Sequence, residues 1–229
     1  MATPAGFWRR YAAYSLDAVA IAVLALPLAW PRIQAARAAW DEGLLALQMR
    51  LWELLDGALQ AGVDPGTQLI AWTQDPALRA GMFGLAGVLA EAILAVVACL
   101  VLVAALWFVA FEGSPWQASP GKRALSLKVT NLAGERPGLL RVIGRFLAGV
   151  PSWLLLNLGH AIAGWRKDKR ALHDLIAGTR VVLEDGASER MPRWARIWLG
   201  AQAAVFFAAC GWVLLNYAML AWDVMRDAL

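Results

Sequence analysis

The stretch RRYAAYSLDAVAIAVLALPLAW, residues 9–30, joins a basic start to a long apolar run that contains one carboxylate, Asp17. Its apolar part, residues 12–30, approaches the roughly 20 residues that a helix needs to cross about 30 Å of hydrocarbon. The carboxylate and the lack of a small-residue cleavage site argue against a signal peptide. We therefore predict a retained transmembrane helix, in which the role of Asp17 has to be explained.

Composition indicates the same class of protein. Of the 229 residues, 60% are hydrophobic and 17% are charged, and the mean hydropathy is +0.54. The apolar residues gather in blocks that are apolar on all sides, whereas a soluble domain distributes them with the period of a strand or a helix. Cys99 and Cys210 lie inside such blocks, which favours inert packing thiols over a disulfide framework or a metal site. We therefore predict an integral membrane protein.

Two more blocks are long enough to span a membrane. Residues 82–111 carry a single charge, Glu91, and residues 197–222 carry none. The last block has small residues at every fourth position, Gly200, Ala204 and Ala208, which would let another helix approach closely. The abundance of alanine in this chain explains the same spacing equally well. The sequence thus predicts three transmembrane helices.

The block at residues 139–165 admits two interpretations. As one span, it would place the basic segments 112–141 and 165–196 on opposite sides of the membrane, against the positive-inside rule. Residues 149–152, GVPS, lie at its centre, where a helix is expected to break. We therefore favour a re-entrant hairpin of two short helices, with a third span as the alternative.

These assignments and the positive-inside rule place the N-terminus in the cytoplasm. The chain then divides into a cytoplasmic N-terminus and first span (1–30), an outer, periplasmic amphipathic helical insertion (31–81), a second span (82–111), a cytoplasmic basic β segment (112–138), the re-entrant hairpin (139–165), a cytoplasmic basic segment (166–196), and a last span with an outer tail (197–229). The predicted fold class is an all-α membrane protein with three transmembrane helices, a re-entrant helical hairpin and a small cytoplasmic β element.

The outer insertion has leucines at helical spacing from Leu44 to Leu59, interleaved with acidic residues. This pattern is typical of an amphipathic helix, which can continue directly from the first span. The helix could lie on the outer membrane surface, pack on a partner subunit or, more simply, pack on its own protein. The following DPGTQ, residues 64–68, is typical of a turn.

Two segments have the features of short strands. LSLKVTNLAGERP, residues 125–137, begins with alternation, and AGTRVVLED, residues 177–185, is rich in β-branched residues after a Gly-Thr break. If both are cytoplasmic, they can pair as a small sheet at the membrane surface. There Lys122, Arg123 and Lys128 would face anionic lipid headgroups, each contributing roughly 1 kcal/mol.

Three short motifs in a fixed order resemble the RDD family of small membrane proteins, which is named for one arginine and two aspartates. The motifs are RRYAAYSLD (9–17), SPGKRALSLKV (119–129) and KRALHDLIAGTRVV (169–182). The resemblance covers roughly residues 6–30 and 82–184, and it assigns the arginine to Arg10 and the aspartates to Asp17 and Asp174. The insertion and the last span depart from the minimal family plan. Membership implies a role in transport, with cation/proton exchange proposed for some members.

The spacing of Arg10 and Asp17 places both on one helix face, about 10 Å apart along the axis, with Tyr14 between them. A charged carboxylate at mid-membrane costs at least about 2.5 kcal/mol. Asp17 is shallow, near the cytoplasmic end of its span, so we expect a cationic partner from that side. The candidates there are Arg10, Lys122, Arg123, Arg141, Arg145, Arg170 and His173.

The resulting charged cluster has two interpretations. Its members are Arg10, Asp17, Asp174, His173, Arg141 and Arg145. In the functional interpretation the two aspartates carry a cation or a proton, and Arg10 or His173 tunes their pKa. In the structural interpretation both aspartates are buried counter-ions that fix the cytoplasmic elements to the first span, which many neighbouring cations would favour.

A second set of polar residues forms a candidate polar path: Tyr14, Glu91, Asn157 and His160. Asn157 and His160 share one face of the second hairpin helix. Glu91 lies about 30 Å of helix from the cytoplasmic end of its span, which separates it in depth from Asp17. It is therefore either an outer gate or an acid at the outer surface.

The function that the resemblance implies is transport across a bacterial-type cytoplasmic membrane, with cation/proton exchange through the Arg/Asp/Asp cluster as its specific form. The alternative is a non-transporting scaffold or assembly subunit in which the cluster is a structural lock. Either role favours a homo-oligomer or a membrane-complex subunit, in contact with anionic lipids on the cytoplasmic face. We find no motif for a nucleotide, a nucleophile or zinc, so we expect no enzyme, no cofactor, no metal and no nucleic-acid partner.

Overall fold

The computed structural model describes residues 3–154 and 158–227 of the chain. Its elements, in chain order, are α1 (Phe7–Ala61), α2 (Pro65–Gln74), α3 (Pro76–Gly113), α4 (Pro120–Ala124), β1 (Leu127–Asn131), α5 (Leu139–Leu154), α6 (Leu158–Trp165), α7 (Leu172–Ala177), β2 (Thr179–Leu183) and α8 (Arg193–Asp227). The protein is thus mostly helical with one small antiparallel strand pair, as the sequence predicts.

Three of the helices, α1, α3 and α8, are long and apolar enough to cross a membrane. They contain the three blocks that the sequence predicts as spans. Each helix extends beyond its block, because the flanking residues also favour helix and no glycine or proline cluster stops them. The first is the longest, at 55 residues, since the predicted amphipathic helix continues directly from the first apolar block.

The chain forms two compact units, which we describe separately: unit 1 is Met1–Ala18 with Trp107–Leu229, and unit 2 is Val19–Leu106. In unit 2, glycines of one helix lie against leucines of the other. A Cβ on Gly43 would lie 2.9 Å from Leu85, and one on Gly81 would lie 2.6 Å from Leu47. The amphipathic part of α1 therefore packs on its own chain, the simplest of the three alternatives.

Residues 64–68 begin a helix and do not form the isolated turn that we predicted. Asp64 is the N-cap of α2, and its Oδ1 accepts hydrogen bonds from the backbone N–H groups of Gly66 at 3.0 Å and Thr67 at 3.1 Å. Pro65 follows at the first helical position, where its missing N–H costs nothing. Asp and Pro are common both in turns and at helix starts. The apolar residues that follow them here favour the helix.

The predicted strands pair in unit 1. β1 and β2 are antiparallel, with Leu127 opposite Leu183 and Asn131 opposite Thr179. Leu127, Val129 and Val181 are buried in a core that also contains small residues of α1. The N-terminal segment joins this sheet through a bridge from Pro4 to Val182. The sheet therefore ties the start of α1 to the second half of the chain.

The block 139–165 consists of two helices, but the first does not break where we predicted. α5 continues through Pro151 to Leu154, and α6 begins at Leu158. Pro151 lies in the last turn of α5, where its missing N–H removes one helix hydrogen bond, to the carbonyl of residue 147, and the helix ends three residues later. Both helices pack against α7, which carries Asp174.

Candidate functional site

Asp174 is the centre of the charged site in unit 1. It lies in the first turn of α7, and its side chain is fully buried. Its Oδ2 accepts a hydrogen bond from Arg10 Nη2 at 2.6 Å and one from the backbone N–H of Ala171 at 3.0 Å, and its Oδ1 binds Arg145 Nη1. Two guanidinium groups and a helix N-terminus therefore stabilise one buried carboxylate.

Arg145 extends this pairing to a second carboxylate, Glu112. Arg145 Nε lies 3.1 Å from Glu112 Oε2, and Lys122 Nζ lies 2.7 Å from Glu112 Oε1. Glu112 is only 3% exposed. The result is a continuous ion-pair chain, which we define as Arg10, Asp174, Arg145, Glu112 and Lys122. Its alternating signs explain how five ionisable groups are accommodated in a largely buried place.

Glu112 is a member of the charged site that the sequence analysis did not single out. It lies at the end of α3 and is the first residue of the basic segment 112–141, in which Glu135 is the other acid. A lone carboxylate at the end of an apolar block, followed by several cations, is the signal that could have identified it.

Asp17 has partners of a different kind from those that we expected. Its Oδ1 accepts hydrogen bonds from Trp107 Nε1 at 3.0 Å and from the backbone N–H of Gly121 at 2.8 Å, and its Oδ2 accepts one from Ser119 Oγ at 2.5 Å. All three donors are neutral, although the carboxylate is 1% exposed. The expectation of a direct cationic partner was wrong, since three hydrogen bonds satisfy the carboxylate at short range.

Gly121 is essential to this arrangement. A Cβ at this position would overlap the carbonyl oxygen of Ala13 and lie 2.9 Å from the carboxylate of Asp17. Only glycine therefore lets the start of α4 approach α1 closely enough for its backbone N–H to reach the carboxylate. Proline at position 120 starts the same short helix.

Arg10 shares α1 with Asp17 but bonds to partners that are distant in the sequence. Arg10 donates to the backbone carbonyl of Lys169 at 2.6 Å as well as to Asp174. The preceding Arg9 donates to the carbonyl of Leu125 at 2.9 Å and to that of Ser188 at 2.6 Å. Both arginines thus fix the start of α1 to loops and helices that are far away in the sequence.

Two histidines lie beside the ion-pair chain. The ring of His173 is 4.6 Å from the ring of His160, which is 5.6 Å from the ring of Tyr14. His173 Nε2 lies 3.6 Å from Asp174 Oδ1. Burial, reinforced by the charge of Arg145, holds the pKa of His173 well below its ordinary value. The imidazole of His173 is therefore neutral at pH 7.

Asp174 is ionised for the opposite reason. Burial by itself would raise the pKa of its carboxyl, but Arg145 and then Arg10 outweigh burial and hold that pKa far below the ordinary range. The proton cannot return to Asp174 while both arginines remain in place. In this conformation Asp174 is a fixed counter-ion.

A cavity of about 400 Å³ adjoins the ion-pair chain in unit 1. Its lining combines charged, aromatic and aliphatic side chains: Phe7, Arg10, Tyr11, Tyr14, Phe108, Glu112, Lys122, Val142, Arg145, Phe146, Gly149, His160, Ala161 and His173. Tyr14 and His160 of the predicted polar path are thus brought together. Glu91 is exposed on α3 in unit 2, and Asn157 lies outside the described residues.

The remaining predicted site residues lie elsewhere. Arg141 is exposed on α5 and lines a different, shallower cavity. Lys122 points inward to Glu112, which corrects the prediction that it faces lipid headgroups. Arg123 is exposed with its guanidinium 4.3 Å from the ring of Trp116, and Lys128 binds Asp185 at 3.1 Å. Among residues 3–154 and 158–227, no group of three His, Cys, Asp or Glu side chains is placed to hold a metal ion.

These features define the class of protein: a helical chain with three helices of membrane-crossing length and a buried network of ion pairs. The sequence model described as "RDD family" matches residues 4–178, which is more than half of the chain. The chain therefore belongs to the RDD family. Among the residues that the sequence motifs assign to the family's arginine and two aspartates, Arg10 pairs with Asp174.

One curated relative has no stated activity. It is the "Uncharacterized protein YxaI" of Bacillus subtilis (strain 168), which is 25% identical over 182 residues, covering 80% of this chain and 99% of that protein. No solved structure matches the chain. The relative therefore supports the family assignment without adding a function.

Proposed function

We propose that this chain is a multi-pass protein of a bacterial cytoplasmic membrane that moves a solute across it, with the cavity of unit 1 as the solute site. The observation that carries this proposal is the cavity itself, which places Arg10, Glu112, Lys122, Arg145 and two histidines around about 400 Å³. Buried ionisable groups beside a cavity are a signature of binding and transport sites in membrane proteins.

The orientation in the membrane is part of the proposal. The segments 112–141 and 165–196 together carry thirteen Lys and Arg residues against seven acids, and the positive-inside rule assigns both to the cytoplasm. The helices α5 and α6 then enter and leave on that side as a re-entrant pair. The cavity, which both helices line, opens toward the cytoplasmic half of the membrane in this arrangement.

The two aspartates hold the site and do not carry the transported species. Asp174 is bound by two arginines and Asp17 by three neutral donors, so neither offers a free carboxylate to a cation. In the form of the proposal that includes proton exchange, His160 and His173 are the candidate proton carriers, and a change in the cavity that relieves their burial has to raise their lowered pKa values first. Cation/proton exchange through the aspartates themselves would require both sets of bonds to break in each cycle.

Flux measurements in proteoliposomes test the transport proposal. Wild-type protein should respond to an imposed gradient of Na⁺, K⁺ or octanoate with a change in internal pH, read by an enclosed dye. His173→Gln should slow that change at least tenfold while keeping a monodisperse, folded protein, and Arg141→Gln should leave it unchanged because Arg141 lies beside another cavity. Wild-type protein that moves none of these solutes contradicts the proposal.

A second function is favoured by the surface of α8. None of the most apolar part of this helix is buried within the chain, and its exposed side chains include Phe206, Phe207 and Trp212. The alternative proposal is a scaffold or assembly subunit, for which α8 provides the contact with a second copy or another membrane protein. Chemical cross-linking in native membranes tests it: a ladder of defined oligomers that Gly200→Leu abolishes supports the scaffold.

A further inference from the structure

We propose that the cavity of unit 1 binds an amphiphilic anion, with a single carboxylate or phosphate head among the charged side chains and an apolar tail along the aromatic wall. The inference deepens the transport proposal by naming the chemical class of the solute, and it rests on that proposal for its physiological role. The binding itself is a separate property, because an equilibrium measurement detects it without any flux.

The charges around the cavity favour an anion. Three cations line the cavity, Arg10, Lys122 and Arg145, whereas Glu112 is the one carboxylate among its lining residues in the described part of the chain. Of the two carboxylates that pair with these cations, Glu112 belongs to the lining, whereas Asp174, which is bound to Arg10 and Arg145, does not. A ligand in the cavity therefore meets more positive than negative charge at short distance, in a place where little solvent screens it.

Two buried histidine nitrogen atoms beside the cavity favour a ligand with a polar head group. Within the described residues, Nδ1 of His160 and Nδ1 of His173 are buried without a hydrogen-bond partner. Both rings line the cavity, and His173 is 5% exposed. Buried polar atoms are normally paired, so such a pair indicates a missing partner. A carboxylate head accepts a hydrogen bond from an imidazole N–H, and a monoprotonated phosphate head can in addition donate its hydroxyl to an unprotonated imidazole nitrogen.

The rest of the wall fits an apolar tail. It consists of aromatic and aliphatic side chains from α1, α3 and α5, namely Phe7, Tyr11, Phe108, Val142 and Phe146. A volume of about 400 Å³ lies within the range of cavities that hold small organic ligands, and such cavities are mostly apolar with a few polar groups. A small inorganic anion would leave this apolar part of the cavity unfilled.

Gly149 allows the cavity to be blocked without touching the ion-pair chain. It lines the cavity, and a Cβ placed on it meets no atom within 4 Å. A leucine there would extend into the ligand space while improving the helix propensity of α5. Gly144 is the matched control, since it is on the same helix, is equally open, and lines the other cavity.

The experiment is equilibrium dialysis of radiolabelled octanoate against the full-length protein in nanodiscs of zwitterionic phosphatidylcholine, with binding to empty nanodiscs subtracted. Octylammonium and octanol, which have the same tail with a positive or a neutral head, are used as competitors. Wild type and Gly144→Leu should bind octanoate saturably, and Gly149→Leu should bind it at least tenfold more weakly. Octanoate should be displaced by unlabelled octanoate and much less by the other two compounds.

A second set of measurements distinguishes two sources of such an anion, a lipid of the bilayer and a free amphiphile. Nanodiscs that contain phosphatidylglycerol should lower octanoate binding if the ligand is a lipid of the bilayer, and they should leave it unchanged if the ligand is a free amphiphile. Equal binding by Gly149→Leu and Gly144→Leu, or displacement by octylammonium as good as by octanoate, overturns the proposal. Saturable binding together with absent flux would instead contradict transport and keep the binding site.

Discussion

The two units of the chain use opposite means to hold helices together. Unit 1 buries three carboxylates, Asp17, Glu112 and Asp174, none of them more than 3% exposed, and gives each several donors. Unit 2 relies on leucines that lie against glycines and on ion pairs of Arg50, which is 37% exposed, with Asp75 at 2.7 Å and Glu53 at 3.0 Å. Small-residue packing is sufficient where helices only need to adhere. Buried charge is costly and is expected where a site must be held in a defined geometry.

The strongest test of this contrast is Asp174→Asn. The amide keeps the shape but removes the charge that compensates Arg10 and Arg145, so we expect a loss of about 3–5 kcal/mol in unfolding free energy. Thermal unfolding in a neutral detergent measures it. The control is Asp168→Asn, which removes an exposed partner of Arg166 and Arg170 and should cost only about 0–1 kcal/mol. Similar losses for both variants would contradict the role of the ion-pair chain.

The corresponding test in unit 2 is Gly81→Ala. A Cβ at this position would lie 2.6 Å from Leu47 Cδ2, so overpacking should cost about 1–3 kcal/mol. Gly84→Ala is the matched control on the same helix, because a Cβ there meets no atom within 4 Å. That variant should be neutral or gain up to about 1 kcal/mol from helix propensity. A destabilised Gly84→Ala with an intact Gly81→Ala would disprove the packing account.

We expect pH to have a smaller effect on the unfolding free energy, through the buried groups of unit 1. Because the pKa of His173 is held well below 6.5, the unfolded chain binds a proton there before the folded chain does. The contribution of neutral His173 to the unfolding free energy is therefore fully present above about pH 6.5. It decreases as the pH falls, by up to roughly 1.4 kcal/mol per pH unit. Asp174 has a lowered pKa as well, so its contribution is lost only below about pH 4.

His173→Gln isolates the histidine contribution. The midpoint of thermal unfolding should decrease less between pH 7 and pH 5 in this variant than in wild type. Arg170→Gln, which changes a partly exposed charge in the same segment, serves as the comparison. An unchanged pH response in His173→Gln would mean that His173 is not buried as a neutral group.

The smallest effect concerns the exposed part of α1. Arg37 and Asp41 form a pair at 4.0 Å with both side chains more than 60% exposed. Solvent screens such a pair, so Asp41→Asn should change the unfolding free energy by less than about 0.5 kcal/mol. The same thermal unfolding assay applies. A loss comparable to that of Asp174→Asn would remove the distinction between buried and exposed charge on which the comparison rests.

Several parts of the fold follow from local patterns. The three long helices follow from apolar blocks, and the strands at 127–131 and 179–183 follow from alternation and β-branched residues. The end of α5 at Leu154 could not be predicted, because a proline weakens a helix without fixing the residue at which the helix ends. The start of α2 was mistaken for a turn, since Asp and Pro favour both structures.

The sequence predicts several residues of the charged site but not which of them pair with each other. Arg10, Asp17, Asp174, His173 and Arg145 could be named from the motifs and the charges. Which carboxylate pairs with which cation could not be inferred, because the partners are distant in the chain: Arg10 is 164 residues from Asp174, and Asp17 is 104 residues from Gly121. Periodicity describes neighbours on one helix and carries no information about such contacts.

The sequence by itself determined that this chain has three helices of membrane-crossing length and the ordered motifs of the RDD family, since hydropathy and local motifs are properties of contiguous residues. Only the tertiary structure decided that Arg10 pairs with Asp174, that neutral donors hold Asp17, and that Glu112 connects Arg145 to Lys122. The physical reason is that a buried charge selects its partners by distance and geometry in three dimensions, and several cations in the sequence were equally eligible.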